Sequence, residues 1–173
     1  MEPVEDSKIW DNIAGDDATA WCLLGVDGDE MVVKHSGAGG LDEMKKHLKP
    51  DSMLFGGFRV DGVDKRGGVT SRRCKLVAFS FAGESVKPMV RAQGRQHMSQ
   101  VLKYFHGHHL KLDITDPDDL TEDAVVGSLR SAGGAHQPQF FEFGSAGRLG
   151  GDVAAAASEA AAKAEADGGA GGD

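Results

Sequence analysis

Two rhythms of apolar residues run through the first 137 positions, one suited to helices and one to strands. Ile9, Trp10 and Ile13 stand at i, i+1 and i+4, which predicts a short helix over 6–14. Residues 20–26 form a nearly continuous apolar run, as in a strand buried on both faces. Asp27-Gly28 then signals a hairpin turn, and 31–33 make the returning strand. After the glycine-rich stretch 36–40, Leu41, Met44 and Leu48 share a helical face that Pro50 ends. Strands are predicted again over 53–60 and 74–81, joined by a polar, glycine-rich loop over 61–73. Met98, Val101, Leu102 and Phe105, at i, i+3, i+4 and i+7, predict a helix after Pro88. Leu110, Leu112 and Ile114 alternate with Lys111 and Asp113, the pattern of a strand. A last helix opens on Glu122 and Asp123, acids that suit the positive end of its dipole. It carries Val125, Val126 and Leu129 inward and is expected to end at Gly133-Gly134 in a left-handed cap.

The order α, β-β, α, β-β, α, β, α implies two antiparallel hairpins, and the strand–helix–strand unit that begins at 74 allows one parallel pair. The expected architecture is an α/β fold of the α+β type: a mixed five-stranded sheet flanked by helices on both faces. The domain is assigned to 1–137, and 138–173 to a Gly/Ala-rich C-terminal tail. From Ser145 onward almost nothing is large enough to pack, so the tail is expected to be disordered, even though 153–166 has high helix propensity. Phe140, Phe141 and Phe143 interrupt that pattern. They either fold back on the domain or mark a contact, such as a weak self-association.

A chain of 173 residues suits one domain with a proper core. No stretch approaches the roughly 18 apolar residues of a membrane span, and the acidic N-terminus lacks a signal-peptide pattern, so neither membrane insertion nor secretion is expected. Two cysteines, Cys22 and Cys74, read as buried free thiols rather than a disulfide framework. The net charge of −8 is unevenly spread. Residues 1–64 carry 6 Lys/Arg against 14 Asp/Glu, whereas 65–111 carry 10 against one. A basic middle between acidic flanks suits an acidic partner bound through one face.

No catalytic constellation stands out. His106, His108 and His109 lack a Cys or carboxylate at ligand spacing, and in a strand His108 and His109 point to opposite faces, so no metal site is expected. The glycines at 37–40 precede a helix but lack the Gly-Lys-Ser/Thr ending of a phosphate loop. No cofactor is expected. The cations are more informative. Arg72, Arg73 and Lys75 enter a strand, with Lys65 and Arg66 across the preceding loop, so a hairpin could present up to five cations on one edge. Arg91 and Arg95 at the start of the following helix, with Lys103 further along it, add a second group.

The stretch Ser71-Arg72-Arg73-Cys74-Lys75, then Phe81-Ala82-Gly83-Glu84 and Arg91-Ala92, resembles the actin-depolymerising-factor homology family, its coactosin group in particular. So does the acidic helix followed by Ala132-Gly133-Gly134-Ala135. Two positions depart: Phe81 stands where the family usually has Trp, and Ser131 where a second basic residue is usual. The resemblance implies a non-enzymatic protein of the cytoplasm and cytoskeleton that binds along the side of actin filaments. It assigns filament binding to the lysine at the place of Lys75. Severing or depolymerisation with monomer binding is the alternative. A nucleic-acid module would want exposed aromatics among the cations, yet Phe79 and Phe81 lie in an apolar strand and the pI is about 5.3.

Overall fold

The structure, a computed structural model, describes residues 8–28, 30–134 and 137–149. Its elements in chain order are α1 (Lys8–Ala14), β1 (Trp21–Asp27), β2 (Glu30–Gly37), α2 (Leu41–Lys45), β3 (Met53–Arg66), β4 (Val69–Ala82), α3 (Pro88–Tyr104), β5 (Leu110–Ile114), α4 (Glu122–Ala132), β6 (Phe140–Phe143) and α5 (Ala146–Leu149). The sheet runs β2-β1-β3-β4-β5, antiparallel except for the parallel β4–β5 pair, as the strand–helix–strand unit allows. The expected mixed sheet is therefore present, with six strands among the described residues rather than five. The sixth is the phenylalanine run, which folds back and pairs antiparallel with β3.

Alternation along the strands sorts the core into two layers. Val77, Phe79 and Phe81 of β4 face α2 and α4, in a cluster with Phe58, Val60, Met44, Val125 and Leu129. Leu76 and Ala78 face α1 and α3, with Trp10, Ile13, Phe55, Val101 and Phe105. Both tryptophans are buried with their indole N–H groups bonded, Trp10 to the His106 carbonyl at 2.8 Å and Trp21 to Glu43 at 2.9 Å. Thr121 caps α4 by accepting from the Ala124 N–H at 3.1 Å. The other end of α4 differs from expectation. Gly133 is extended (φ −76°, ψ 161°), its amide closing on the Leu129 and Arg130 carbonyls.

The expected loop over 61–73 is instead the outer half of one long hairpin. β3 and β4 each run 14 residues and pair without interruption from Met53↔Ala82 to Arg66↔Val69. Gly67 and Gly68, at φ +57° and +79°, make the two-residue turn. Such a turn needs positive φ at both central residues, which is where glycine fits.

β6 covers the open edge of that projection. β1 pairs with β3 only as far as Phe58, and β6 takes over on the same side from Val60 to Val63. An edge that would expose unpaired backbone is thus satisfied. Gln139 adds to it, donating its N–H to the Val63 carbonyl and to Asp64, and accepting the Lys65 N–H on its side chain at 2.8 Å. Beyond β6 the chain crosses the glycine-rich segment 38–40, where Ser145 bonds the Ala38 carbonyl through both its N–H and its hydroxyl. Gly144, at φ +75°, lies so close that a Cβ there would stand 3.0 Å from the Gly39 carbonyl carbon. Residues 138–149, assigned to the tail from sequence, are therefore part of the folded unit. The remainder of the expected tail, 150–173, lies outside the described residues.

Asp61 ties these pieces together from a buried position, 1% exposed. Arg59 donates to it from Nε at 2.7 Å, while its Nη1 bonds the Ile13 and Gly15 carbonyls at the end of α1. The guanidinium nitrogens of Arg148 and Arg72 stand 3.6 and 3.9 Å from the other carboxylate oxygen. Removing one partner from such a buried pair strands the other's charge, at a cost of about 3–5 kcal/mol. Asp61→Asn is expected to lower the unfolding free energy by an amount in that range, measured by urea titration. Lys111→Ala, which breaks the exposed pair with Asp113, should change it by about 1 kcal/mol or less.

Candidate functional site

The alternation that buries Val77 and Phe79 carries on past the core's edge. On the same face of β4 it places Lys75 and then Arg73, with Val60 and Gly62 of β3 directly opposite. Lys75 is half-buried where packed core gives way to open hairpin, and Arg73 is exposed. Beside them is a groove of about 330 Å³, lined by Leu129, Gly133 and Gly134 at the end of α4 and by Gln137, Pro138 and Phe141. Arg130 packs on two of these residues, 5.0 Å over the Phe141 ring and bonded to the Pro138 carbonyl at 3.1 Å.

The eight cations singled out from sequence do not form one patch. Pairing places Arg66 on the face of Arg73 and Lys75, close to the turn, and leaves it exposed. Lys65 and Arg72 belong to the opposite face. The Lys65 ammonium lies 5.6 Å from the centre of the Phe140 ring. Arg72 is engaged on three sides: Glu142 at 2.8 Å, the Gly147 carbonyl at 3.0 Å and Asp61 beyond. Arg91 is likewise occupied, its guanidinium donating to the Ala82 and Gly83 carbonyls at the end of β4. Arg95 and Lys103 are exposed on α3, which covers the sheet face opposite to Lys75. The five hairpin cations thus divide three and two between the faces. Gln139, Glu142 and Arg148, which brace the hairpin, escaped the sequence reading because they lie in the segment assigned to the tail.

The histidines are used locally. His109 Nδ1 accepts the Leu76 N–H at 3.0 Å, and His108 Nδ1 lies 3.1 Å from the Phe105 carbonyl. Among the described residues no three His, Cys, Asp or Glu side chains come together as a metal would need, and no helix is long and apolar enough to cross a membrane. Partial burial, and then the charges of Lys75 and His108, hold the His109 pKa below its ordinary value. A depressed histidine pKa favours the neutral ring in the fold. Its contribution to stability is complete above about pH 6.5 and is lost as pH falls from there through the folded-state pKa. Because Lys75 supplies part of that depression, Lys75→Met is expected to raise the His109 pKa in an NMR titration. No change would mean that the ammonium lies away from the ring.

The family profile described as cofilin/tropomyosin-type actin-binding protein matches residues 5–130. Coactosin of Entamoeba histolytica is 36% identical over 108 residues, covering 62% of this chain and 70% of that protein. The crystal structure of Entamoeba histolytica coactosin superimposes with a TM-score of 0.66 at 28% identity, covering 76% of this chain and 96% of the other. The solution structure of mouse coactosin, described as an actin filament binding protein, does so with a TM-score of 0.58 at 25% identity, covering 73% and 86%. The sheet order, the long hairpin and the match through most of the folded unit agree: this chain belongs to the cofilin/tropomyosin-type family of actin-binding proteins.

Proposed function

We propose that the protein binds along the side of actin filaments, in the cytoplasm, without catalysing a reaction or holding a cofactor. Lys75 is the centre of the contact, and Arg73 and Arg66 extend it toward the hairpin tip. The observation that carries this reading is the position of Lys75. Its backbone pairs with Val60 of β3, and two residues on, at Val77, the same strand is flanked by β5 through Leu110, so its direction is fixed by the sheet. It opens on a groove walled by Leu129, Pro138 and Phe141, which offers an acidic partner both charge and apolar surface. Lys65, on the opposite face over the Phe140 ring, is left out of the contact. Arg95 and Lys103 form a second contact on α3, where Met89 (73% exposed) and Val90 (40%) leave apolar side chains uncovered at the helix start. Arg72 and Arg91, both engaged within the fold, are left to structural work. The protein decorates filaments rather than dismantling them. Co-sedimentation run alongside the steady-state monomer concentration separates the two, since decoration leaves the monomer pool unchanged.

Truncating a well-placed interfacial charge costs about 2–5 kcal/mol, against about 0–1 for a charge at the rim. Lys75→Ala is therefore expected to abolish detectable filament co-sedimentation while keeping the folded circular dichroism signal. Lys111→Ala, in β5, should sediment nearly as the parent does. Wild-type binding by Lys75→Ala would remove the site. Attraction between partly exposed charges is also screened by salt, with a screening length of about 8 Å at about 0.15 M that shortens as salt rises. Filament binding is expected to fall clearly by about 0.3 M salt, and binding indifferent to salt would point to an apolar contact instead.

A further inference from the structure

The projecting half of the hairpin has two faces. One carries Lys75 and Arg73; on the other, Arg72 is bolted to Glu142 and Gly147 of the C-terminal strap, β6 and α5, which runs along the edge of β3. In register, Glu142 of β6, Asp61 of β3 and Cys74 of β4 lie in one row across the three strands, immediately next to Lys75. Around that row Arg72 reaches back over β3 to Glu142 at 2.8 Å and to the Gly147 carbonyl at 3.0 Å. Arg148 inserts from α5 with a side chain 8% exposed, its Nε 3.6 Å from Asp61, and its Nη1 bonds the Asp17 carbonyl at 2.8 Å. Without the strap this part of β3 would be an exposed edge, and the pair of strands would stand alone beyond the core, where a two-stranded ribbon is marginally stable and strongly twisted.

We infer that Arg72, Glu142 and Arg148 are positioning residues for filament binding: they fix the hairpin from behind, so that Lys75 and Arg73 are held in one direction, and do not touch the filament themselves. This rests on the reading that the Lys75 face is the contact. It reassigns Arg72, which the sequence grouped with the filament-binding cations, and it gives the phenylalanine run a role distinct from self-association.

Two readouts test it in the full-length protein. The first is filament affinity by co-sedimentation. The second is the labelling rate of Cys74 with a thiol reagent: Cys74 is half-buried behind the strap, while Cys22 is fully buried and its thiol pKa is pushed far up by burial, so the native protein should label at Cys74 alone. Arg72→Ala and Glu142→Ala are each expected to weaken binding about fivefold or more and to speed Cys74 labelling, and the double variant should do no more than either single one, as for residues acting through one shared pair. Glu142→Gln keeps an acceptor for Arg72 and should recover most of the affinity. Met31→Ala, in the core on the far-edge strand β2, should lower stability comparably yet bind filaments as the parent does. Normal binding by Glu142→Ala with weak binding by Arg72→Ala would overturn the inference and make Arg72 a filament contact. So would equal loss in Met31→Ala, which would reduce the strap to general stability. Lys75→Ala is carried in parallel. If it binds normally, the reading of the face has failed; if it alone loses binding, the face stands and the strap's role is refuted.

Discussion

A buried carboxylate, Asp61, sets the terms for the projecting half of the sheet. At 1% exposure it must be compensated, and its compensation comes from three arginines: Arg59 on its own strand, Arg72 across the hairpin and Arg148 of α5. Each arginine carries a further bond with it. Arg59 fastens the end of α1, Arg72 fastens Glu142 and Gly147, and Arg148 fastens Asp17. One charge thus links α1, the hairpin and the strap, and the geometry of the opposite face follows from that linkage. Buried pairs of this kind add little net stability over an apolar packing, but they penalise any arrangement that leaves a charge alone. Here they single out the arrangement in which β6 lies along β3.

Much of the fold was legible from periodicity. The helical spacing of Met98, Val101 and Phe105, and the alternation of Leu110, Leu112 and Ile114, each mark an element whose inner face is buried where the spacing says. The errors have physical causes. The segment 61–73 has a loop's composition because its outer part, around the turn, is exposed, while its inner part buries two carboxylates, Asp61 and Asp64, that hydrogen bonds and arginines compensate. Only Gly67-Gly68, between alternating Val63 and Val69, betrays a hairpin turn. β6 was hidden for another reason. Four residues between Gln139 and Gly144 are too short a run to announce a strand, and their partner on β3 lies about 80 positions upstream. The glycines at 37–40, which faintly suggest a phosphate loop, are accounted for by the close passage of Gly144 and Ser145 over them.

The candidate site was legible in residue type but not in arrangement. Strand alternation puts Arg73 and Lys75 on one face and Arg72 on the other, a rule that depends only on neighbours in sequence. It could not show that Arg72 is spent on Glu142, 70 residues away, or that Arg91 is spent on backbone carbonyls at the end of β4. Counting cations therefore overstates the patch. What the structure adds is direction: a charged face limited to Arg66, Arg73 and Lys75, beside a groove with apolar walls, on a ribbon whose back is fastened.

The central claim is that this face, and not the Arg72–Glu142 side of the hairpin behind it, meets the filament. A cryo-electron microscopy reconstruction of decorated filaments tests it most directly. The account predicts the Lys75 side chain within salt-bridge distance of an acidic group on actin, with the groove beside Leu129 and Phe141 at the interface and the Glu142 side of the hairpin facing solvent. A filament contact formed by β6 and α5, with Lys75 turned to solvent, would contradict it.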